Sequence, residues 1–206
     1  HKSRKDLLFQ IKEILSMKPM IYYRIKEYIF HIGAKWDKQS IAETDAIDFA
    51  HKYINPEPIK GEDPPFSPEY RLAASGETIN REYLRHEIII PILKDILKAL
   101  SANKTKKDII VYRGVSNDVF HQMIENAKNE QGADLIEKGI LQTSLVKRHE
   151  LSSNICTQYL RIFVPTGTNA IYLGNINNEQ HLYEVDIQCK AKLQIISADK
   201  KYINCK

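Results

Sequence analysis

The chain has 206 residues, of which 43% are hydrophobic and 27% are charged. This composition excludes a disordered protein and allows one large core, or one core with a helical annex. The formal net charge of +4 does not by itself argue for a nucleic-acid binder, whose surface is usually more basic and more clustered.

The first part of the chain is predicted to be helical. Apolar residues recur at helical spacing over residues 7–15 and again over residues 21–29. Ser40-Ile41-Ala42-Glu43 has the pattern of a capping box, in which a serine and a glutamate reciprocally cap the first turn of a helix. A third helix is therefore expected to begin there and to run to about Tyr53.

A proline-rich stretch then interrupts the helical pattern. Residues 55–68 contain five prolines and predict a loop. Ser67-Pro68 has the pattern of a helix start, and a longer helix is predicted from Glu77 toward Leu100, bent at Pro91. The apolar run at the end of this helix is too short and too charged to span a bilayer, so no membrane span is expected.

The second half of the chain changes to the period of β-strands. The β-branched and aromatic run from Ile109 to Val115 predicts a strand, and residues 117–130 predict a short helix capped by Ser116 or Asn117. Further strands are predicted at 140–145, 159–164, 169–173, 182–188 and 192–197. A helical lobe followed by a β-rich core defines an α+β protein.

Several kinds of chemistry are not supported by any motif. The three cysteines are widely spaced, with no CxxC pair, and the seven histidines are scattered, so no metal site is expected. Such sparse cysteines are typical of free thiols in a reducing compartment. Glycine-rich nucleotide-binding motifs, HExxH and GxSxG do not occur. The candidates that remain are polar residues inside apolar strands.

Arg113 is the first of these polar residues. By strand alternation it lies on the same side as Ile109 and Val111. A buried arginine must be paired, because an isolated buried charge is costly. Arg113 is therefore either an edge residue or structural ion-pair partner, or a fork that binds phosphate or carboxylate. The residue types alone favour neither interpretation.

Two other strands carry polar residues. In the strand at 182–188, Leu182, Glu184 and Asp186 share one face, and this periodicity alone favours an amphipathic strand whose polar face meets water. Gln142-Thr143-Ser144 follows Gly139-Ile140-Leu141 at the start of a strand. Small hydroxyl residues in such a position usually fill space and bond to backbone, so each signal is weak alone.

The order of these features resembles the Arg-Ser-Glu class of bacterial-toxin mono-ADP-ribosyltransferases. Five motifs in the right order, one of which is a pair of strands, resemble the class more specifically than any one of them does. They are the aromatic-Arg strand at Tyr112-Arg113-Gly114, the aromatic-x-Ser-Thr-Ser strand at 140–144, the two following strands at 159–165 and 170–172, the end of the (Gln/Glu)-x-Glu motif at Tyr183-Glu184-Val185, and upstream an Ile-Asn-x-Tyr-Leu-Arg helix, with one extra residue, at 79–85. The resemblance covers roughly residues 67–200 and points to the actin-modifying components of clostridial binary toxins and the Rho-modifying exoenzymes.

The resemblance implies a fold and an activity. The expected architecture is an N-terminal helical region at 1–60, packed on a β-rich two-sheet catalytic core at 67–206 that includes its leading helices. The expected activity is cleavage of NAD at the nicotinamide–ribose bond and transfer of ADP-ribose to a host protein. NAD is then the substrate, without a metal, and the partner is a host protein acceptor of unknown identity rather than a nucleic acid. The protein is expected to be secreted or injected by a bacterium and to act in the host cytosol.

The resemblance also implies a role for each site residue. Glu184 would bond the ribose 2′-hydroxyl and stabilise an oxocarbenium-like transition state, with Gln142 and Ser144 keeping it in place. Arg113 would hold the NAD pyrophosphate through a charge-assisted fork. The other expected NAD-binding residues are Gly114, Asn80, Arg85 and Thr143, and the expected acceptor-side loop residues are Glu179, Gln180 and Leu182.

The chain departs from the class at three positions. Gln142 stands where the class has its first serine, and Gln can still donate to Glu184. Leu182 stands where the class has the Gln or Glu that faces the acceptor, so the acceptor is unusual, or the loop residues Glu179 and Gln180 replace it, or water accepts the ADP-ribose. An arginine common after the Ser-Thr-Ser strand is missing, and Arg148 and Arg161 are candidates to compensate.

Two alternative functions follow from these departures. An NAD glycohydrolase is motivated by Leu182, which can neither accept from a guanidinium nor bond an amide. A catalytically inactive binding module that keeps the fold is motivated by Gln142 and Leu182, although the presence of both Arg113 and Glu184 argues against it.

Overall fold

The computed structural model describes residues 33–54, 97–98, 100–129, 132–150, 155–174, 180–199 and 201–206. The helices predicted over 7–29 and over most of 77–100, the loop predicted at 55–68, and the site candidates Asn80, Arg85 and Glu179 lie outside these ranges.

The described helices flank a β-rich core. Residues 33–39 are helical, as are residues 97–98 and 100–102. A 3-10 turn, Glu43–Asp45, leads into the helix Ala46–Tyr53, and the other long helix is Asn117–Lys128. A second 3-10 turn is Gln180–Leu182. The strands, in chain order, are β1 Ile109–Ser116, β2 Leu135–Ile136, β3 Leu141–Ser144, β4 Cys156–Val164, β5 Ala170–Tyr172, β6 Glu184–Ile187, β7 Lys192–Leu193, β8 Ile195–Ala198 and β9 Tyr202–Cys205.

Seven of these strands form one sheet, in the order β5-β6-β3-β1-β4-β9-β8, and β2 pairs with β7 in a second sheet. The large sheet is antiparallel except between β4 and β9. β1 pairs with β4 from Ile109 to Ser116 but joins β3 through one register pair, Tyr112 with Ser144. The sheet therefore has a narrow junction between its β5-β6-β3 part and the rest.

The two faces of β1 pack against different partners, as its alternation predicted. Ile109 and Val111 lie in the main hydrophobic core, together with the apolar side of helix Asn117–Lys128. Ile110 and Tyr112 point to the other face and pack with Trp36 and Tyr202 in a second cluster.

Arg161, on β4, is the largest side chain buried to less than 2% exposure. Its guanidinium lies 2.7 Å from an Asp37 carboxylate oxygen and 2.8 Å from Asp199 Oδ2, and it donates to the Gly33 carbonyl oxygen at 3.1 Å. It also donates to Asn204 Oδ1 at 3.1 Å. Because a buried cation is stable only when it is paired, these contacts fix residues 33–39 and Asp199 on the sheet.

The capping box predicted at Ser40 is wrong. The α-helix begins at Ala46 and follows a 3-10 turn, and the Asp45 side chain makes no capping bond. The Ser40 hydroxyl instead contacts the Tyr112 hydroxyl and donates to the Trp36 carbonyl oxygen, and Ile41 forms a β-bridge with Val146. Contacts with the sheet thus hold this segment extended, where the local pattern favoured a helix. The predicted end of the helix at Tyr53 is confirmed.

Most of the predicted strands are confirmed, and so is the helix after β1, which Ser116 caps by accepting from the Val119 backbone N–H. The strand predicted at 192–197 is wrong as a single element. It divides at Gln194 into β7 and β8, which belong to different sheets, because the Gln194 backbone exchanges both of its hydrogen bonds with Lys206. The short strand β2 and the strand β9 were not predicted.

We expect Arg161→Met to lower the free energy of unfolding by about 3 kcal/mol. The change removes four hydrogen bonds of a buried cation, leaves Asp199 without this cation and leaves Asp37 with Lys147. Lys147→Ala is the matched control. Lys147 also lies 2.7 Å from Asp37, but the two side chains of that pair are 33% and 42% exposed, so its removal should cost no more than about 0.5 kcal/mol. Urea unfolding of the two variants checks the difference, and equal midpoints would contradict the anchoring role of Arg161.

Candidate active site

Strands β3 and β6 bring the central predicted residues together. Their antiparallel register pairs Ser144 with Glu184, Thr143 with Val185 and Gln142 with Asp186. Because opposed residues share a face of the sheet, Gln142 and Ser144 lie on the face that carries Glu184. The Gln142 amide Nε2 donates to Glu184 Oε1 at 3.1 Å. The glutamine that replaces the serine of the class therefore reaches the carboxylate directly.

The two hydroxyl residues of β3 bond to backbone. Thr143 is fully buried and donates to the Val185 carbonyl oxygen at 2.7 Å. Ser144 donates to the Leu182 carbonyl oxygen at 2.8 Å and accepts from the Val146 backbone N–H at 3.2 Å. Both hydroxyls therefore tie β3 to the segment that carries Glu184, and the Gln142 amide contacts the carboxylate itself.

Arg113 lies on β1, opposite Leu160 of β4 and one residue from the junction with β3. Its Nη2 is 3.2 Å from Glu137 Oε2, and the two side chains are only 12% and 11% exposed. The other carboxylate oxygen, Glu137 Oε1, accepts from the Gly139 backbone N–H at 3.2 Å. An ion pair was one of the interpretations of Arg113 that its residue type allowed, and the structure contains one. Its partner, Glu137, was not predicted.

The narrow junction brings three distant segments to one place. Tyr112 opposes Ser144, and Ser144 opposes Glu184, so these three residues share one face of the sheet. Arg113 is the next residue of β1 and therefore lies on the other face. Adjacent strands are about 4.8 Å apart, so the backbones of these three strands lie within roughly 10 Å of one another. Gly114 follows Arg113 as a buried residue of β1.

The described acceptor-side candidates directly precede β6. Gln180 and Leu182 are the two ends of the 3-10 turn Gln180–Leu182, and both are partly buried. The two arginines that were candidates to compensate differ in their surroundings. Arg161 is committed to Asp37 and Asp199, and Arg148 is an exposed residue with a φ of 78°.

Two acidic side chains act on the thiol of Cys189, which lies beyond the end of β6. Burial, together with the negative charges of Asp186 and Glu137, raises the pKa of its thiol from the ordinary 9.0 to about 11. The carboxylate that pairs with Arg113 therefore also acts on the Cys189 thiol.

The described ranges contain neither a metal-ligand cluster nor a membrane-spanning helix. No group of three or more histidine, cysteine, aspartate or glutamate residues in those ranges could hold a metal ion. Within the same part of the chain, no helix is long and apolar enough to cross a membrane.

The ADP-ribosyltransferase exoenzyme family matches residues 72–204 of the chain. No curated protein matches the chain by sequence.

Three solved structures share the fold at low sequence identity. An ADP-ribosyltransferase from Clostridium botulinum, solved in a triclinic form, has a TM-score of 0.58 and 15% identity, over 81% of this chain and 96% of that one. The ADP-ribosylating toxin component of a binary enterotoxin of C. perfringens, solved with NADH, has a TM-score of 0.57 and 18% identity, over 79% of this chain and 47% of that one. A protein from S. aureus, solved with NAD, has a TM-score of 0.51 and 15% identity, over 80% of this chain and 94% of that one.

These likenesses show the α+β fold of ADP-ribosylating toxins. The chain spans about half the length of the C. perfringens toxin component and nearly the whole length of the C. botulinum and S. aureus proteins.

We expect Cys189 to react with iodoacetamide about 100-fold more slowly at pH 8 in the folded chain than in the urea-unfolded chain. A pKa raised from 9.0 to about 11 keeps the thiol protonated until the pH approaches that value, and the thiolate is the reactive form. Mass spectrometry of the peptide that contains Cys189 measures both rates. Equal rates would contradict the buried, negatively charged surroundings.

Proposed function

Since the chain belongs to the ADP-ribosyltransferase exoenzyme family, we propose that it is a mono-ADP-ribosyltransferase that cleaves NAD and transfers ADP-ribose to a host protein side chain. The observation that carries the proposal is the contact between Gln142 Nε2 and Glu184 Oε1 at 3.1 Å. This contact holds the Glu184 carboxylate at the start of β6, and the pairing of β6 with β3 fixes the backbone of Glu184. The structures of two proteins of this fold, one with NAD and one with NADH, support the choice of dinucleotide.

In the proposed reaction, the bond between the ribose C1′ and the nicotinamide nitrogen breaks, and its electron pair leaves with nicotinamide. Positive charge then develops on the ribose, as in glycoside hydrolysis. A preorganised carboxylate stabilises this charge in the transition state more than in the ground state. Glu184 supplies that carboxylate, and the acceptor nucleophile forms the new bond to C1′ and loses its proton.

The remaining residues position the substrate and the carboxylate. The Arg113 guanidinium offers a planar set of donors suited to the NAD diphosphate, and Glu137 holds it from one side. Ser144 and Thr143 keep β6 in register with β3 through the Leu182 and Val185 carbonyl oxygens. The proposed acceptor is a side chain of a host protein that the enzyme meets after secretion or injection.

Leu182 favours NAD hydrolysis as a second candidate function. Its half-buried side chain offers no polar group to orient an arginine or asparagine acceptor, while its backbone still accepts from Ser144. Cleavage of NAD can therefore be supported without an oriented acceptor, and water would then take the ADP-ribose.

We expect Glu184→Gln to lower the rate of nicotinamide release from NAD by at least about 100-fold, because the variant loses the charge that stabilises the transition state. Its Kd for NAD should stay within about threefold of the wild type, since the amide keeps the shape of the side chain. Nicotinamide release and NAD binding are measured on the purified proteins. Near-normal turnover in the variant would remove Glu184 from the mechanism.

The same pair of proteins, incubated with labelled NAD and a eukaryotic lysate, separates the candidate functions. A labelled protein band that is lost in Glu184→Gln supports the transferase. Free ADP-ribose without a band supports the glycohydrolase. The absence of NAD cleavage in the wild type, with NAD still bound, would leave a binding module.

Arg113→Lys is expected to raise the Kd for NAD roughly tenfold with little change in kcat, which corresponds to the loss of one charge-assisted hydrogen bond. Lysine keeps the positive charge beside Glu137 but not the planar fork, so it tests the diphosphate role without leaving a nearly buried carboxylate unpaired. Calorimetry measures the Kd. An unchanged affinity would contradict the role of Arg113 in binding the diphosphate.

A further inference from the structure

Tyr183, which immediately precedes Glu184, has a backbone conformation that is rare for its residue type. Its φ is 49°, in the left-handed region that is unfavourable for a residue with a side chain. Its N–H donates to the Gln180 carbonyl oxygen at 3.1 Å, and its carbonyl oxygen accepts from the Leu145 N–H at 2.9 Å. This conformation sets the direction in which the chain enters β6 and therefore the starting point of the Glu184 side chain.

The side chain of Tyr183 contacts two residues from other segments of the chain, Glu43 and His149. Its ring is buried in the main core, and its hydroxyl donates to Glu43 Oε1 at 3.0 Å. The ring of His149 meets the ring of Tyr183 edge-on, with centroids 5.2 Å apart, and His149 Nε2 lies 3.4 Å from Glu43 Oε2. The Glu43 carboxylate thus contacts both residues.

Glu43 is itself carried by a fixed segment. It is the first residue of the 3-10 turn Glu43–Asp45, and two residues earlier Ile41 forms a parallel β-bridge with Val146. Val146 donates its backbone N–H to Ser144 Oγ, the atom that bonds to the Leu182 carbonyl oxygen. The segment that presents Glu43 is therefore tied to the same strand end that holds the backbone before Glu184.

We propose that Tyr183 and Glu43 form a positioning pair that keeps the Glu184 carboxylate on Gln142, so that Glu43, far upstream in the chain, acts on this carboxylate through Tyr183. The inference rests on the proposed function. The hydroxyl–carboxylate bond holds residue 183 in the left-handed region. Without it, residue 183 relaxes toward negative φ, the peptide that leads into Glu184 turns, and the carboxylate leaves its donor.

The raised pKa of Tyr183 favours its role as the hydrogen-bond donor to Glu43. Burial, followed by the bond to the Glu43 carboxylate and its negative charge, raises the pKa of the Tyr183 hydroxyl above its ordinary value of 10.0. Because its pKa is raised, the Tyr183 hydroxyl stays protonated at neutral pH and remains the donor.

The test uses Tyr183→Phe, Glu43→Ala and their double variant. Each single change should lower kcat for nicotinamide release about fivefold to tenfold, with the KM for NAD within about twofold, because the carboxylate and not the substrate site is disturbed. The double variant should be no slower than the slower single variant, since both changes remove the same bond. Glu43→Gln keeps an acceptor oxygen and should recover most of the kcat lost in Glu43→Ala.

Thr44→Ala is the matched control on the same turn. Thr44 is exposed, and its hydroxyl bonds only locally, to Asp45, so this variant should keep wild-type kcat and KM. Wild-type kcat in Tyr183→Phe, or independent and additive losses in the double variant, would overturn the proposal. A change in KM with unchanged kcat would also overturn it.

Amide hydrogen exchange separates this inference from the proposed function. The Leu145 N–H donates to the Tyr183 carbonyl oxygen and the Leu173 N–H donates to the Glu184 carbonyl oxygen. Both amides should exchange about fivefold faster in Tyr183→Phe and in Glu43→Ala than in the wild type and in Thr44→Ala, because local opening of this turn becomes easier. If the wild type releases no nicotinamide, the proposed function fails, and these amides alone decide whether the pair holds the turn.

Discussion

The buried charge of Arg161 is the constraint on which the described structure depends. A guanidinium in the middle of a sheet is stable only with fixed anionic partners, and Asp37 and Asp199 supply them from two separate segments. Asp37 belongs to the helical residues 33–39, so the charge also determines where the chain runs next. Past that helix, Ser40 contacts Tyr112, Ile41 bridges to Val146 and Glu43 reaches Tyr183. Charge pairing at β4 is thereby connected, through one continuous segment, to the residue before Glu184.

The register of the large sheet makes the same connection across the strands. A row of directly opposed residues crosses six neighbouring strands on one face of the sheet, and its members are Glu184, Ser144, Tyr112, Arg161, Asn204 and Ser197. Most of this row is buried, so its polar groups must be hydrogen-bonded. At the Arg161 end of the row, the hydrogen bonds that meet this requirement stabilise the fold. At the Glu184 end the same ladder holds a partly exposed carboxylate for the proposed chemistry.

Sequence patterns predicted the elements whose signals are local. β1, β3, β5, β6 and the helix capped by Ser116 follow from periodicity and capping, and all are confirmed. The capping box at Ser40 was wrong because contacts with Tyr112 and Val146 override the local preference. β2 has two residues, too few to show alternation. In the site, chain order predicted Gln142, Ser144 and Glu184 as a group. Glu137 and Glu43 were missed because their partners, Arg113 and Tyr183, are distant in the chain, and only the topology brings each pair together.

The structure also explains how an apolar residue can occupy position 182 without disturbing the carboxylate. Ser144 bonds to the backbone carbonyl oxygen of Leu182, a group that every amino acid possesses, and the side chain of residue 182 takes no part in that bond. The position of Glu184 depends on this carbonyl, on the β3–β6 register and on Gln142. In the proposed reaction, cleavage of the nicotinamide–ribose bond therefore depends on groups that a change at position 182 leaves in place, whereas the choice of acceptor depends on the side chains of the 3-10 turn. Under the proposed function, leucine at this position alters the choice of acceptor and leaves the cleavage of NAD unchanged.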